Sequence, residues 1–281
     1  MRYRALITTI LAICFGLISA CSSDAPETTV FNREGLTYDQ IVNTGLANKC
    51  PQLAETARGS LPIASNDTFV FEELCMEPQE YAVKEEASGN KRKAAEFIAA
   101  KALTRYTSSL EQINGKIKVG DNGVLTLIEE SGIDFQPVTV QLPGGEQVPF
   151  LFTVKQLVAT TEPGFTSINT STNFKGEFNV PSYRGNVFLD PKGRGVASGY
   201  ENAVALPSQA DSEKFIGSNI KQLDKGKGEI SLAITKVDNQ TGEVAGIFES
   251  VQPSDTDLGA QEPLEVKIRG TFYARVRTAD A

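Results

Sequence analysis

Residues 135–154, FQPVTVQLPGGEQVPFLFTV, decide the fold class. Val138, Val140 and Leu142 alternate with polar neighbours, and Phe150, Phe152 and Val154 repeat the rhythm after Pro143-Gly144-Gly145. A period of two puts alternate side chains on one face of a sheet, and a Pro/Gly cluster between two such runs is a turn. The same grammar extends both ways. Runs at 69–74, 81–85, 102–119 and 124–130 precede this hairpin, and runs at 168–180, 229–237, 243–251 and 265–277 follow it. Asp121-Asn122-Gly123, Glu162-Pro163-Gly164 and Asn239-Gln240-Thr241-Gly242 supply further turns. About eight to ten strands at short spacing, with no repeating strand–helix unit, predict an all-β, antiparallel architecture. Several runs exceed ten residues, which favours a closed, tilted β-barrel of about eight strands over a sandwich. Residues 209–223 are the one polar helix candidate, and residues 36–49 predict one or two short helical turns interrupted by Gly45.

One stretch breaks the alternation. Residues 176–207 begin as a strand and then become rich in Gly and Pro, carrying Tyr183, Arg184, Asp190, Lys192 and Arg194. Loops this long inside a compact domain are usually functional or disordered. Val187, Phe188, Leu189 and Val196 give this one apolar anchors, so an ordered, charge-presenting insertion over 176–228 is expected.

The first twenty residues read as an export signal: Arg2 and Arg4, an apolar run at 5–18, then Ser19-Ala20 before Cys21. Cys21 is either the lipidated cysteine of a lipobox or an incidental residue near a cleavage site. Residues 21–35 are polar and form a tether, leaving 36–281 as a single domain. Loss of the signal removes two arginines and no acid, moving the formal charge from −8 to −10. Such a chain does not suit nucleic acid, whose binding needs a basic surface. Beyond Cys14 and Cys21 only Cys50 and Cys75 remain, and two cysteines in an exported chain favour one disulfide. Closing that loop stabilises by roughly 3 kcal/mol in the chain-entropy picture.

Catalytic motifs are thin. The chain has no histidine, which excludes Ser-His-Asp and Cys-His chemistry and weakens any zinc site. Gly193, Gly195 and Gly199 miss the dinucleotide spacing and lack its strand–helix context. Acidic clusters at Glu72-Glu73, Glu85-Glu86, Glu129-Glu130 with Asp134, and Asp255-Asp257 have no calcium-loop spacing. Lys91-Arg92-Lys93 is a basic spot between two strands, either a hydrated hairpin tip or a docking patch.

Several long runs carry a resemblance: LTYDQI, NTGLANKCP, GIDFQPVTVQLPGGE, FKGEFNVPSYR, FLDPKGRGVASGYENAVALP and PSDTDLGAQEPLEVKIRGTFYA. Together they resemble the manganese-stabilising polypeptide family of photosystem II, in its cyanobacterial form, over residues 36–274. The resemblance implies a barrel on the lumenal face of photosystem II in the thylakoid lumen. It would be non-catalytic and would not ligate manganese directly. It would keep the manganese-calcium cluster assembled, support chloride and calcium retention and line water and proton exit paths. Partners implied are core and antenna subunits and other extrinsic lumenal subunits, with peripheral membrane association. The resemblance also assigns residues: a Cys50–Cys75 disulfide pinning an N-terminal docking segment over 36–62 that holds Tyr38, Thr44, Gly45 and Asn48. Tyr183, Arg184, Asp190, Lys192 and Arg194 would dock the loop, and Lys91 and Arg92 would touch the neighbouring monomer. Glu85 and Glu146 match two calcium-binding glutamates of some relatives, but residues 259–266 hold Gln261 and Leu264 and no histidine where those relatives have one. Two other classes stand beside this reading. One is a carbonic-anhydrase-like enzyme; the other is a lipid-anchored barrel carrying a small ligand, which requires a hollow interior.

Overall fold

The computed structural model describes residues 37, 49–85, 95–103, 108–182, 226–256 and 262–279. Among them every regular element is a strand, so the expected all-β class holds. The architecture turns on β2 (Thr68–Glu85), which follows the two-residue β1 (Leu61–Pro62). One edge of β2 pairs from Phe69 to Val83 with β13 (Glu265–Thr278). The other edge changes partner part-way. Thr68–Met76 pairs with β4 (Leu110–Val119), and Tyr81–Glu85 with β3 (Glu96–Ala102).

The two partners start two paths. From β4 the sheet runs through β5 (Leu125–Ile133), β8 (Val158–Thr160), β10 (Asn173–Val180), β11 (Gly226–Val237) and β12 (Glu243–Pro253) to β13 and back to β2. That is a closed, eight-stranded antiparallel barrel, whose ring has no open edge. From β3 the sheet branches to β6 (Phe135–Gln141) and β7 (Gln147–Thr153). β7 leans back onto the barrel: Gln252 Nε2 donates to Leu151 O at 2.5 Å, Asp255 N donates to Pro149 O, and Phe152 stacks on Phe248 at 5.9 Å. A two-residue β9 (Ser167–Ile168) pairs with β1 outside the ring.

Register gives the barrel two unlike ends. Val180↔Gly226, Pro253↔Glu265 and Glu85↔Glu96 bring the roots of the long loop, of the β12–β13 connection and of the Lys91-Arg92 segment to the same end. The opposite end carries tight turns, such as that of Gly242, whose φ of 74° is the left-handed conformation glycine accepts freely. The interior is filled rather than hollow. Phe69, Phe71, Met76, Phe174, Phe178 and Phe272 are each under 5% exposed. Gly228 is needed here, because a Cβ on it would come within 2.2 Å of the Phe178 ring. A ligand-carrying barrel does not fit this packing.

Several sequence expectations are corrected. The runs at 69–74 and 81–85 are one strand, joined through Glu77 and Pro78. The run at 102–119 is not one strand: it contains β4 and only the last residue of β3. Apart from Phe97 and Ile98, β3 is built of Glu, Lys and Ala, which have low strand propensity and hide it from pattern reading. The run at 148–160 breaks into β7 and β8 at Gln156, whose φ is +56°. The helix candidate at 209–223 lies outside the described residues, as do 36 and 38–48 of the turns expected over 36–49.

Candidate functional site

The N-terminal segment from Lys49 to Gly59 is a strap across the outside of the barrel. Its first anchor is the Cys50–Cys75 disulfide, with both cysteines buried. Its second is Glu77, 5% exposed, whose carboxylate accepts from Lys49 Nζ at 2.5 Å and from Cys50 N at 3.1 Å. The strap then crosses β13 and β12. Phe272 and Ala274 face the interior, so Tyr273 between them faces outward, and it is nonetheless only 4% exposed. Cys50, Leu53, Cys75, Ala245 and Tyr273 form a second small core beneath the strap. At β11 the strap is fastened again: Lys236 Nζ donates to Leu53 O at 3.2 Å and to Glu55 Oε1 at 2.5 Å, while Val237 exchanges backbone hydrogen bonds with Ala57 and Gly59.

A polar cluster borders the strap. Tyr273 Oη donates to Glu243 Oε1 at 2.6 Å, and Arg275 reaches Glu243 at 3.2 Å and Glu73 at 3.3 Å. Partial burial pushes the Glu243 carboxyl up, but hydrogen bonds from Tyr273, Thr241 and Arg275 outweigh it and leave the group below its ordinary value.

The root of the long loop is equally organised. Val180 and Gly226 pair as its stem. Asn179 N donates to Lys155 O at 2.8 Å, Asn179 Nδ2 donates to Gln156 Oε1 at 2.5 Å, and Gln156 N donates to Glu129 Oε2 at 2.7 Å. Burial pushes the Glu129 carboxyl up; the Gln156 N–H offsets part of this, and the charge of nearby Asp134 adds to it. Asp134, 3% exposed, is itself held by Lys155 Nζ at 3.1 Å. The left-handed turn at Gln156 aims its N–H at Glu129, a signal that periodicity does not carry.

The residues assigned from sequence fall into three groups. Cys50 and Cys75 are joined as expected. Glu85 ends β2 opposite Glu96, and Glu146 is exposed in the β6–β7 turn, where its carbonyl accepts from Leu142 N. Tyr38, Thr44, Gly45, Asn48, Lys91, Arg92, Tyr183, Arg184, Asp190, Lys192, Arg194 and Cys21 lie outside the described residues, as does Gln261. Leu264 packs against the barrel core. Among the described residues no three His, Cys, Asp or Glu side chains gather as a metal site. The acidic clusters instead form ion pairs: Glu72 with Arg277, Glu73 with Arg275 and Glu130 with Lys116. Sequence reasoning missed Glu77, Lys236 and Tyr273. The strap they hold has no period of its own, and only the tertiary fold brings 53 and 55 to 236.

The family description "Manganese-stabilising protein / photosystem II polypeptide" matches residues 34–276. "Photosystem II extrinsic protein O" of Crocosphaera subtropica is 64% identical over 98% of this chain and 98% of its own length. Its counterpart in a Nostoc species is 62% identical over 98% and 100%. "Oxygen-evolving enhancer protein 1, chloroplastic" of Volvox carteri is 49% identical over 86% and 80%. With matches spanning the strap, the eight-stranded ring and the β3–β6–β7 branch alike, this chain belongs to the manganese-stabilising protein family of photosystem II.

Proposed function

We propose that the protein is an extrinsic subunit on the lumenal side of photosystem II that stabilises the manganese-calcium cluster without itself being a catalyst. The observation that carries this reading is end-to-end membership of the family, from residue 34 to residue 276. The geometry suits it. A rigid, filled barrel holds the root of its long loop, its branch and the strand ends Glu85 and Glu96 at one end, and the strap enters at the middle of β2. Partners follow as core, antenna and other extrinsic subunits, with the loop residues Tyr183, Arg184, Asp190, Lys192 and Arg194 against the core and Lys91 and Arg92 toward the neighbouring monomer. Tyr38, Thr44, Gly45 and Asn48 complete the contact from the N-terminal side. Residues 1–20 direct export, Cys21 is the lipid-anchor candidate, and Glu85 with Glu146 is the calcium candidate. Chloride and calcium retention and proton exit belong to the same reading, and Glu129 at the loop root has the raised carboxyl that proton handling requires.

The test is reconstitution of stripped photosystem II membranes with Asp190→Ala and Lys192→Ala chains. Both are expected to fold normally and to lower oxygen evolution at equal occupancy. Full rates and full manganese retention with both changes would remove the loop from the account.

A further inference from the structure

The inward face of β12 changes character along its length. Val244 and Phe248 are apolar, but the last two inward residues, Ser250 and Gln252, are polar, and each is 1% exposed. This is the stretch that β7 lies against, with Phe152 stacked on Phe248. The Gln252 amide is oriented by its nitrogen, which donates to Leu151 O, so Oε1 is its other end. Among the described residues neither Gln252 Oε1 nor Ser250 Oγ has a hydrogen-bond partner. Buried polar atoms are nearly always paired, and an unmet one costs the loss of its hydration. These two sit two residues apart on one face of one strand, so they border the same space.

The surroundings define what could meet both. Ser250 pairs with Ile230 of β11 on one side and Ile268 of β13 on the other, and Gln252 pairs with Val266; all three neighbours are under 5% exposed. The serine is the short member of its rung, which leaves room beside its hydroxyl. Each of these cross-strand neighbours is uncharged, so none would balance a bare ion buried there. The amide oxygen needs a donor and the hydroxyl needs either a donor or an acceptor, and a water molecule supplies both. Tyr81, paired with Ile268, leans its ring on Phe150 and has Ser108 beside its hydroxyl, so it is not one of the unmet pair.

We propose that Ser250 Oγ and Gln252 Oε1 hold an ordered internal water beneath β7. The water donates to Gln252 Oε1 and bonds Ser250 Oγ, while Gln252 Nε2 holds Leu151 O. One glutamine thus fastens the branch to the ring directly and also binds the water that fills the seam. Neither residue belongs to the docking set, so the site holds whether or not the chain serves photosystem II.

Oxygen-17 relaxation dispersion on the full chain counts long-lived internal waters and is blind to exchange of hydroxyl protons. Ser250→Val fills the room beside the hydroxyl and should remove about one such water. An equal count in the two chains overturns the proposal. Stability supplies a second test, with opposite signs for the two cases. With a water bound, Ser250→Ala breaks one of its hydrogen bonds and should lower the folding equilibrium constant about threefold to tenfold in urea titration. With the hydroxyl unmet, the same change relieves a buried orphan, so a raised or unchanged constant overturns the proposal. If the valine chain does not fold, the alanine chain decides alone.

Discussion

Replacing Glu77 with alanine should free the start of the strap while leaving the barrel intact. The carboxylate is buried and its two oxygens hold different groups, Lys49 Nζ and the Cys50 amide. A hydrogen bond to a charged acceptor contributes about 1.5–3 kcal/mol, and its loss would strand a buried N–H. The Lys49 pair adds about 0.5 kcal/mol, since the lysine side chain is 51% exposed and screened by water. A loss of about 2–3.5 kcal/mol, at 1.4 kcal/mol per tenfold, predicts Cys50 amide exchange about 30- to 300-fold faster. Glu77→Gln keeps an acceptor for that amide and gives up only charge, so its effect should fall below about tenfold. Residue-resolved exchange by NMR reads both. Unchanged Cys50 exchange in Glu77→Ala, or equal acceleration across β11–β13, would refute the view of Glu77 as a local anchor.

Other expectations follow from the same coordinates. Gly228→Ala drives a Cβ toward the Phe178 ring and should lower stability by about 1–3 kcal/mol, seen as a shifted denaturant midpoint at unchanged slope. Reducing the Cys50–Cys75 disulfide should expose strap amides at 49–59 before those of β11–β13; the reverse order in hydrogen exchange would count against the strap as a separate unit. Glu243 and Glu129 should shape pH dependence with opposite signs. Glu243 has a depressed carboxyl in the folded state, so its stabilisation is present above the ordinary value of 4.5 and is lost as pH falls through the depressed one; Glu243→Gln should cost stability at pH 7 and little at low pH. Glu129 has a raised carboxyl, so its ionisation opposes folding above 4.5; Glu129→Gln should be the more stable protein at pH 7, with the gap closing as pH drops. Urea titrations across pH decide both.

Much of the barrel was legible because its inward residues alternate over long runs. β12 and β13 keep that period for 11 and 14 residues, β11 keeps it as far as Ile234, where a register shift changes its parity, and Gly242 marks the β11–β12 turn. The pattern fails where physics other than period sets the conformation. Glu73 at φ +55° and the register shifts around Leu74 flip the parity of β2, so one strand reads as two. β3 lacks β-branched residues except Ile98, and its pairing with β2 and β6 overrides weak local preference. The strap is a matter of tertiary contact: nothing in the spacing of Leu53, Glu55 and Ala57 points to β11. The long loop stood out by its broken alternation and its charges, but the docking roles of its residues, like those of the N-terminal residues, were reached through family likeness, since their chemistry depends on partners outside the chain.

The most direct measurement is manganese retained per reaction centre, alongside oxygen evolution, in stripped photosystem II membranes held at limiting chloride with and without the full chain. The account predicts that adding the protein slows manganese loss and restores oxygen output together. Manganese leaving at the same rate in both samples, with the protein demonstrably bound, would contradict it.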